Sequence, residues 1–196
     1  DGYARITAKP GVCFVITGPG LTNIATAMGQ ALGDSIPMLV ISTVNGESTK
    51  EQGCLHAMPR QADIIRPLTV ASFQLNANDS VTETITQVFA TLDARNGTPL
   101  GPVHLQIPLD VIGQLAHDET VQMIKQPIEH QQQQTPKGAN TLNHIQNAAH
   151  VINQHNPIVI LAGGGAVNAQ DQVEQLALAL DAPVVTTING RGLMAN

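Results

Sequence analysis

Six consecutive residues, Gly18-Pro19-Gly20-Leu21-Thr22-Asn23, have the types and spacing to do chemistry. They follow the β-branched apolar run Val12 to Thr17 and precede a stretch of helical composition, so a strand hands over to a helix there. Open α/β sheets bind ligands at the carboxyl ends of their strands. Glycines at such a junction remove Cβ atoms, so a flat ring can lie against the backbone. The first turn of the helix adds unpaired N–H groups. The same six residues also suit a tight strand-to-helix turn that binds nothing.

A second glycine cluster, Gly163-Gly164-Gly165-Ala166-Val167-Asn168, also joins a strand to a helix. It lacks the third glycine of a dinucleotide fingerprint, where Asn168 stands. Asp181 precedes the next strand instead of ending it, so a packing turn is favoured over NAD binding. His104 alternates with Val103 and Leu105 along a strand, as a structural histidine would. The seven histidines show no metal spacing with the two cysteines. Cys13 reads as a small core residue, and Cys54 has no adjacent base that would make it a nucleophile.

The elements that must position these residues alternate between strand and helix. Val12–Thr17, Pro37–Val44, Leu68–Leu75 and Pro102–Ile107 read as buried strands. A helix capped by Thr22 or Asn23 follows the first, and Asp79 caps another that runs to about Arg95. The polar stretch Asn45 to Gln61 is long enough to be a functional loop. Residues 114–140 contain Pro127, Pro136, Gly138 and a run of four glutamines, and read as an interdomain linker. Beyond it come a helix over Thr141–Gln154, a strand over Pro157–Ala162, a helix over Ala169–Leu180 and a strand over Pro183–Thr187. The fold class is therefore α/β: a parallel-sheet three-layer domain followed by part of a second α/β domain.

Composition narrows the function. Of 196 residues, 42% are hydrophobic and only 12% charged, which excludes a disordered chain. The net charge of −6 argues against nucleic acid. No apolar run approaches the roughly 20 residues of a membrane span. Two cysteines make no disulfide framework, so a reducing, cytoplasmic setting is expected. The opening Asp1-Gly2-Tyr3 and the unfinished loop before Asn196 are expected to belong to an internal segment of a longer polypeptide.

Several motifs fall in one order: Asp1-Gly2-Tyr3-Ala4-Arg5, Lys9-Pro10-Gly11-Val12, Gly18-Pro19-Gly20-Leu21-Thr22-Asn23 and Asp34-Ser35-Ile36-Pro37. Together they resemble the N-terminal, pyrimidine-binding domain of thiamine-diphosphate enzymes of the acetolactate synthase and 2-oxo acid decarboxylase family. Gly101 to Val111 resembles the end of that domain, and the chain from Thr141 onward resembles the start of the family's central domain. The resemblance implies a pyrimidine-binding domain over 1–113 that lacks its first elements, a linker over 114–140, and a truncated central domain over 141–196.

It also implies a segment of a thiamine-diphosphate-dependent lyase or transferase acting on a small 2-oxo acid, in a homo-oligomer (dimer or tetramer). Gly18, Pro19, Gly20 and Asn23 match the loop beside the coenzyme's pyrimidine. The family's catalytic glutamate would lie before Asp1, and the Mg²⁺ ligands beyond residue 196, so the segment alone is expected to be inactive. Acetolactate synthases carry FAD on the central domain and many relatives have lost it. Alternative readings are a free-standing α/β module for a nucleotide-like ligand, or a non-catalytic remnant that needs a partner chain.

The 45–61 loop departs from acetolactate synthases. Those carry Gly-Gln-Val after the second strand and Phe-Gln-Glu before the Ala-Asp-Ile match; this chain has Thr43-Val44-Asn45 and Pro59-Arg60-Gln61. Leu55-His56 instead looks like decarboxylases of longer, polar 2-oxo acids such as guanidino-oxo acids. The substrate-loop candidates are Asn45, Glu47, Glu51, His56, Arg60 and Gln61. Glu47 or Glu51 would hold a guanidinium, and His56 would bond substrate or move a proton. A solvated loop with a structurally bonded histidine is the plainer alternative.

Overall fold

The computed structural model describes residues 1–49, 52–93, 100–114 and 139–194. They belong to two compact units, Asp1–Gln132 and Gln133–Asn196. Most of the expected linker, the glutamine run and Glu51 lie outside the described residues, as does the expected helix end near Arg95.

The first unit runs α1 (Gly2–Thr7), β1 (Gly11–Val15), α2 (Pro19–Gly33), β2 (Met38–Val44), α3 (Gln61–Ile65), β3 (Ala71–Gln74), α4 (Val81–Thr91), β4 (Pro102–Pro108) and α5 (Leu109–Ile112). The four strands form one parallel sheet in the order β1-β2-β4-β3. Gly11 lies opposite Met38, Met38 opposite Pro102, and Ala71 opposite Val103.

Side chains alternate across the pleat, so β2 feeds two cores, while β4 feeds one and turns His104 and Gln106 to its other face. On one face Met38 and Val40 pack with Leu21, Met28 and Ala31 of α2 and Ile65 of α3. On the other, Leu39, Val103 and Leu105 pack with Val88 and Leu92 of the α4 region. The central strands are covered on both sides, which is why β2 is nearly all apolar. β1 is covered on one side only: Val12, Phe14 and Ile16 remain 56–58% exposed.

The structure moves several boundaries. α2 begins at Pro19 with Gly18 as its N-cap, so Thr22 and Asn23 lie inside the helix and do not cap it. Proline suits the first helical position because its φ is preset and its missing N–H is not needed there. α4 is capped by Ser80, whose Oγ accepts the Glu83 N–H at 3.3 Å; Asp79 instead accepts the Asn76 N–H at 2.7 Å. Residues Arg66–Leu68 form a 3₁₀ turn, which delays β3 to Ala71. The 45–61 segment contains a 3₁₀ turn at Glu47–Thr49, and Gln61 opens α3.

The second unit runs α6 (Ala139–Asn153), β5 (Ile160–Ala162), a 3₁₀ turn over Gly164–Ala169, α7 (Gln170–Leu180) and β6 (Val184–Thr186). β5 and β6 pair in parallel, Ile160 opposite Val184. Among the described residues no helix is long and apolar enough to cross a membrane.

Candidate functional site

The Gly18 turn stands at the carboxyl end of β1 and opens α2. Its φ of +67° belongs to the left-handed region that glycine tolerates. A Cβ built on Gly18 would lie 2.6 Å from the His56 carbonyl oxygen, so the turn is backed by the 45–61 segment. The Gly18 carbonyl accepts the Thr22 N–H at 3.1 Å and starts the helix. Below it, the Thr17 N–H donates to Thr43 Oγ1 at 3.1 Å, and the two threonine hydroxyls lie 2.9 Å apart. Pro19 and Asn23 are exposed, while Gly20 is partly covered by Ile16. The Cβ positions of Gly18 and Gly20 face His56 and Ile16, so the two glycines serve packing of the turn and do not clear a surface for a ring as the sequence suggests. The exposed Pro19 and the helix start are what the turn offers a flat ring such as an aminopyrimidine.

Gln61 ties this turn to the sheet. It is 0% exposed. Its Oε1 accepts the Gly18 N–H at 2.9 Å. Its Nε2 faces the Thr43 carbonyl at 2.7 Å, Gln106 Oε1 at 3.0 Å and Ser42 Oγ at 3.3 Å. His104, also buried, sits between two hydroxyls: Nε2 is 2.8 Å from Ser42 Oγ, and Nδ1 is 2.9 Å from Ser72 Oγ. Burial pushes the imidazole pKa down to about 4, so the ring is neutral near pH 7.

A cavity of about 380 Å³ opens at the carboxyl ends of β2, β3 and β4. Asn45, Gln74, Asn76, Asn78, Gln106 and Asp110 supply its polar lining. Asn45 Oδ1 is buried there with no hydrogen-bond partner among the described residues. Gly46 lies so close to Asp110 that a Cβ would come 2.5 Å from the carboxyl carbon.

The expected site residues therefore separate. The structure brings together Gly18, the His56 backbone and Gln61. Asn45 enters the cavity. Pro19, Gly20 and Asn23 share the first turn and a half of α2. His56 itself is exposed at φ +60°. Arg60 is turned to Asp63 of α3 at 2.8 Å, which holds that carboxyl below the usual range. Glu47 opens the 3₁₀ turn, and its side chain is outside the described residues, as is Glu51. Gln61, expected in a loop that faces substrate, opens α3 and is buried against Gly18, Thr43 and Gln106. Residues the sequence reading passed over are Ser42, Gln74, Gln106 and Asp110. One signal for them was present: β4 reads Val-His-Leu-Gln-Ile, with polar residues at alternate positions of an otherwise buried strand.

In the second unit a Cβ on Gly164 would lie 3.0 Å from Asn189 Cβ, and one on Gly190 2.6 Å from the Ala162 carbonyl oxygen. Both glycines serve close packing of the two strand ends.

Two family models match in chain order. Residues 1–64 match the thiamine pyrophosphate enzyme N-terminal TPP binding domain. Residues 145–196 match the central domain of the same enzymes. The chain is 39% identical over 197 residues to a probable 2-ketoarginine decarboxylase, AruI, of Pseudomonas aeruginosa, covering 99% of this chain and 33% of that protein. It is 30% identical over 203 residues to a probable acetolactate synthase large subunit of Methanocaldococcus jannaschii, covering 98% and 32%. It is 27% identical over 194 residues to the chloroplastic acetolactate synthase of Arabidopsis thaliana, covering 98% and 28%. The chain spans about a third of the length of these curated relatives.

Proposed function

We propose that this chain, which belongs to the thiamine pyrophosphate enzyme family, supplies the pyrimidine-binding face of a thiamine-diphosphate-dependent decarboxylase or carboligase acting on 2-oxo acids. The observation that carries the reading is the Gly18 turn: a left-handed glycine at a strand's carboxyl end, held from behind by Gln61 and His56, within the matched N-terminal domain.

Gly18, Pro19, Gly20 and Asn23 would bind the coenzyme's aminopyrimidine. Gly18 and Gly20 let the turn close against His56 and Ile16, which sets the position of its outer surface. Pro19 and Asn23 offer an apolar edge and an amide. Thiamine diphosphate, when bound, supplies the electron sink for decarboxylation. Magnesium would be held by ligands outside 1–196, and the domains over 1–113 and 141–196 would be parts of a cytoplasmic homo-oligomer. The Gly164 turn is filled by packing, which supports a central domain without FAD. The likeness to a 2-ketoarginine decarboxylase supports a 2-oxo acid with a cationic, guanidino end.

The test uses the full-length polypeptide that carries this segment. Coenzyme-dependent CO₂ release is measured on a panel that includes 2-ketoarginine, pyruvate and 2-oxobutyrate. Turnover that needs thiamine diphosphate and favours the guanidino acid is expected. Turnover with pyruvate alone would move the substrate reading to acetolactate synthesis. No coenzyme-dependent turnover, together with no coenzyme binding, would overturn the enzyme reading.

A further inference from the structure

Gln61 is the junction of an unbroken run of amide side chains. The Gly18 N–H donates to Gln61 Oε1 (2.9 Å), Gln61 Nε2 to Gln106 Oε1 (3.0 Å), and Gln106 Nε2 to Gln74 Oε1 (2.9 Å). Gln74 Nε2 then donates to Asn76 Oδ1 (3.0 Å), and Asn76 Nδ2 to Asp79 Oδ2 (2.9 Å). Each amide accepts on one side and donates on the other. The direction is set at both ends by groups that cannot reverse. A backbone N–H only donates, and an ionised carboxylate only accepts. The Thr43 carbonyl, 2.7 Å from Gln61 Nε2, fixes the central amide the same way. Aligned hydrogen bonds of this kind polarise and strengthen one another in a buried setting.

We infer that Gln61 is a positioning residue for the Gly18-Pro19-Gly20 turn, holding the Gly18 N–H inward so that the turn presents its outer face to the coenzyme. The inference rests on the reading of that turn as the coenzyme's pyrimidine site. A neutral amide is required at position 61. An apolar side chain of similar size leaves the Gly18 N–H and the Thr43 carbonyl buried and unpaired. A carboxylate still accepts from Gly18 but faces two further acceptors, Thr43 O and Gln106 Oε1. Arg60, one residue earlier, is exposed and paired within α3, so it takes no part in this hold.

The experiment is amide hydrogen exchange on the full-length protein, wild type and Gln61→Leu, with thiamine diphosphate affinity measured on the same samples. In the wild type without coenzyme, the Gly18 amide is expected to exchange far more slowly than an exposed amide. In Gln61→Leu it is expected to exchange about tenfold faster, a loss in the range of one buried hydrogen bond. The amides of α4 should keep their wild-type rates. Coenzyme affinity should fall about tenfold for the same reason. Gln61→Glu should weaken coenzyme binding as well. Fast exchange of Gly18 in the wild type would overturn the inference, and that measurement needs no variant to fold. So would a folded Gln61→Leu with fast Gly18 exchange and wild-type coenzyme affinity. A wild type that binds no thiamine diphosphate would overturn the proposed function, while its Gly18 exchange rate would still decide whether Gln61 holds the turn.

Discussion

A left-handed backbone pressed against a carbonyl leaves position 18 no room for a methyl group. Gly18→Ala is expected to cost roughly 1–3 kcal/mol in stability, by strain and by displacement of His56. Urea unfolding of wild type and variant checks it, and an unchanged midpoint would mean the turn is pliable. His104 gives a pH dependence with a definite sign. Its folded pKa, about 4, lies below its ordinary value of 6.5. The unfolded chain therefore binds the proton first as pH falls. The stability that depends on the neutral ring is complete above about pH 6.5 and is lost as pH drops toward 4. The full loss is of order 3 kcal/mol. His104→Asn should flatten the fall in stability between pH 6.5 and 4; an identical pH profile would show that the ring carries none of it. Both positions show what the sequence can and cannot tell. The glycine turn was legible as a turn because two glycines and a proline stand between an apolar run and a helical stretch. Gln61 was not, because a glutamine ahead of a short helix carries no mark of burial; only the sheet around it puts it inside.

At the scale of elements, strands were legible and caps were less so. A parallel strand covered on both faces must be largely apolar, so M-L-V-I-S-T-V announces itself. V-C-F-V-I is as apolar, although one face of β1 is left uncovered. Cap positions turn on one residue. Asp79 and Ser80 both suit an N-cap, and only the position of the Asn76 amide decides that Asp79 serves the preceding loop. Ser80→Ala is expected to lower stability by about 1 kcal/mol, measured by denaturant unfolding with the far-ultraviolet helix signal. Asp79→Ala should act differently, loosening the β3–α4 connection around Asn76 while leaving the Ser80 cap in place. The order of strands was not written in local pattern at all. β4 sits between β2 and β3 because the chain returns to fill a position it had passed over, a matter of packing among distant segments such as Met38 and Pro102.

At the scale of the whole molecule, the uncovered face of β1 stands out. Val12, Phe14 and Ile16 form an apolar stripe, and Tyr3 (59% exposed) and Ile6 (88% exposed) of the nearby α1 add to the exposed apolar surface. Residues 1–196 prepared alone are expected to self-associate through such surface. Sedimentation velocity should show a concentration-dependent mass that Phe14→Ser reduces; a concentration-independent monomer would show the stripe to be inert. The strand order has one more consequence, and it concerns time. The Gly18 turn is local, yet the side chain that holds it comes from residue 61, and that side chain is bonded in turn to residue 106. Contacts at such separations close late, because the loops between them must first be ordered. A nascent or refolding chain thus acquires the helix after Gly18 well before the turn is locked. The locked turn becomes a late marker of maturation, and a ribosome-bound chain that ends before Pro102 would have the motif and Gln61 without Gln106 behind them.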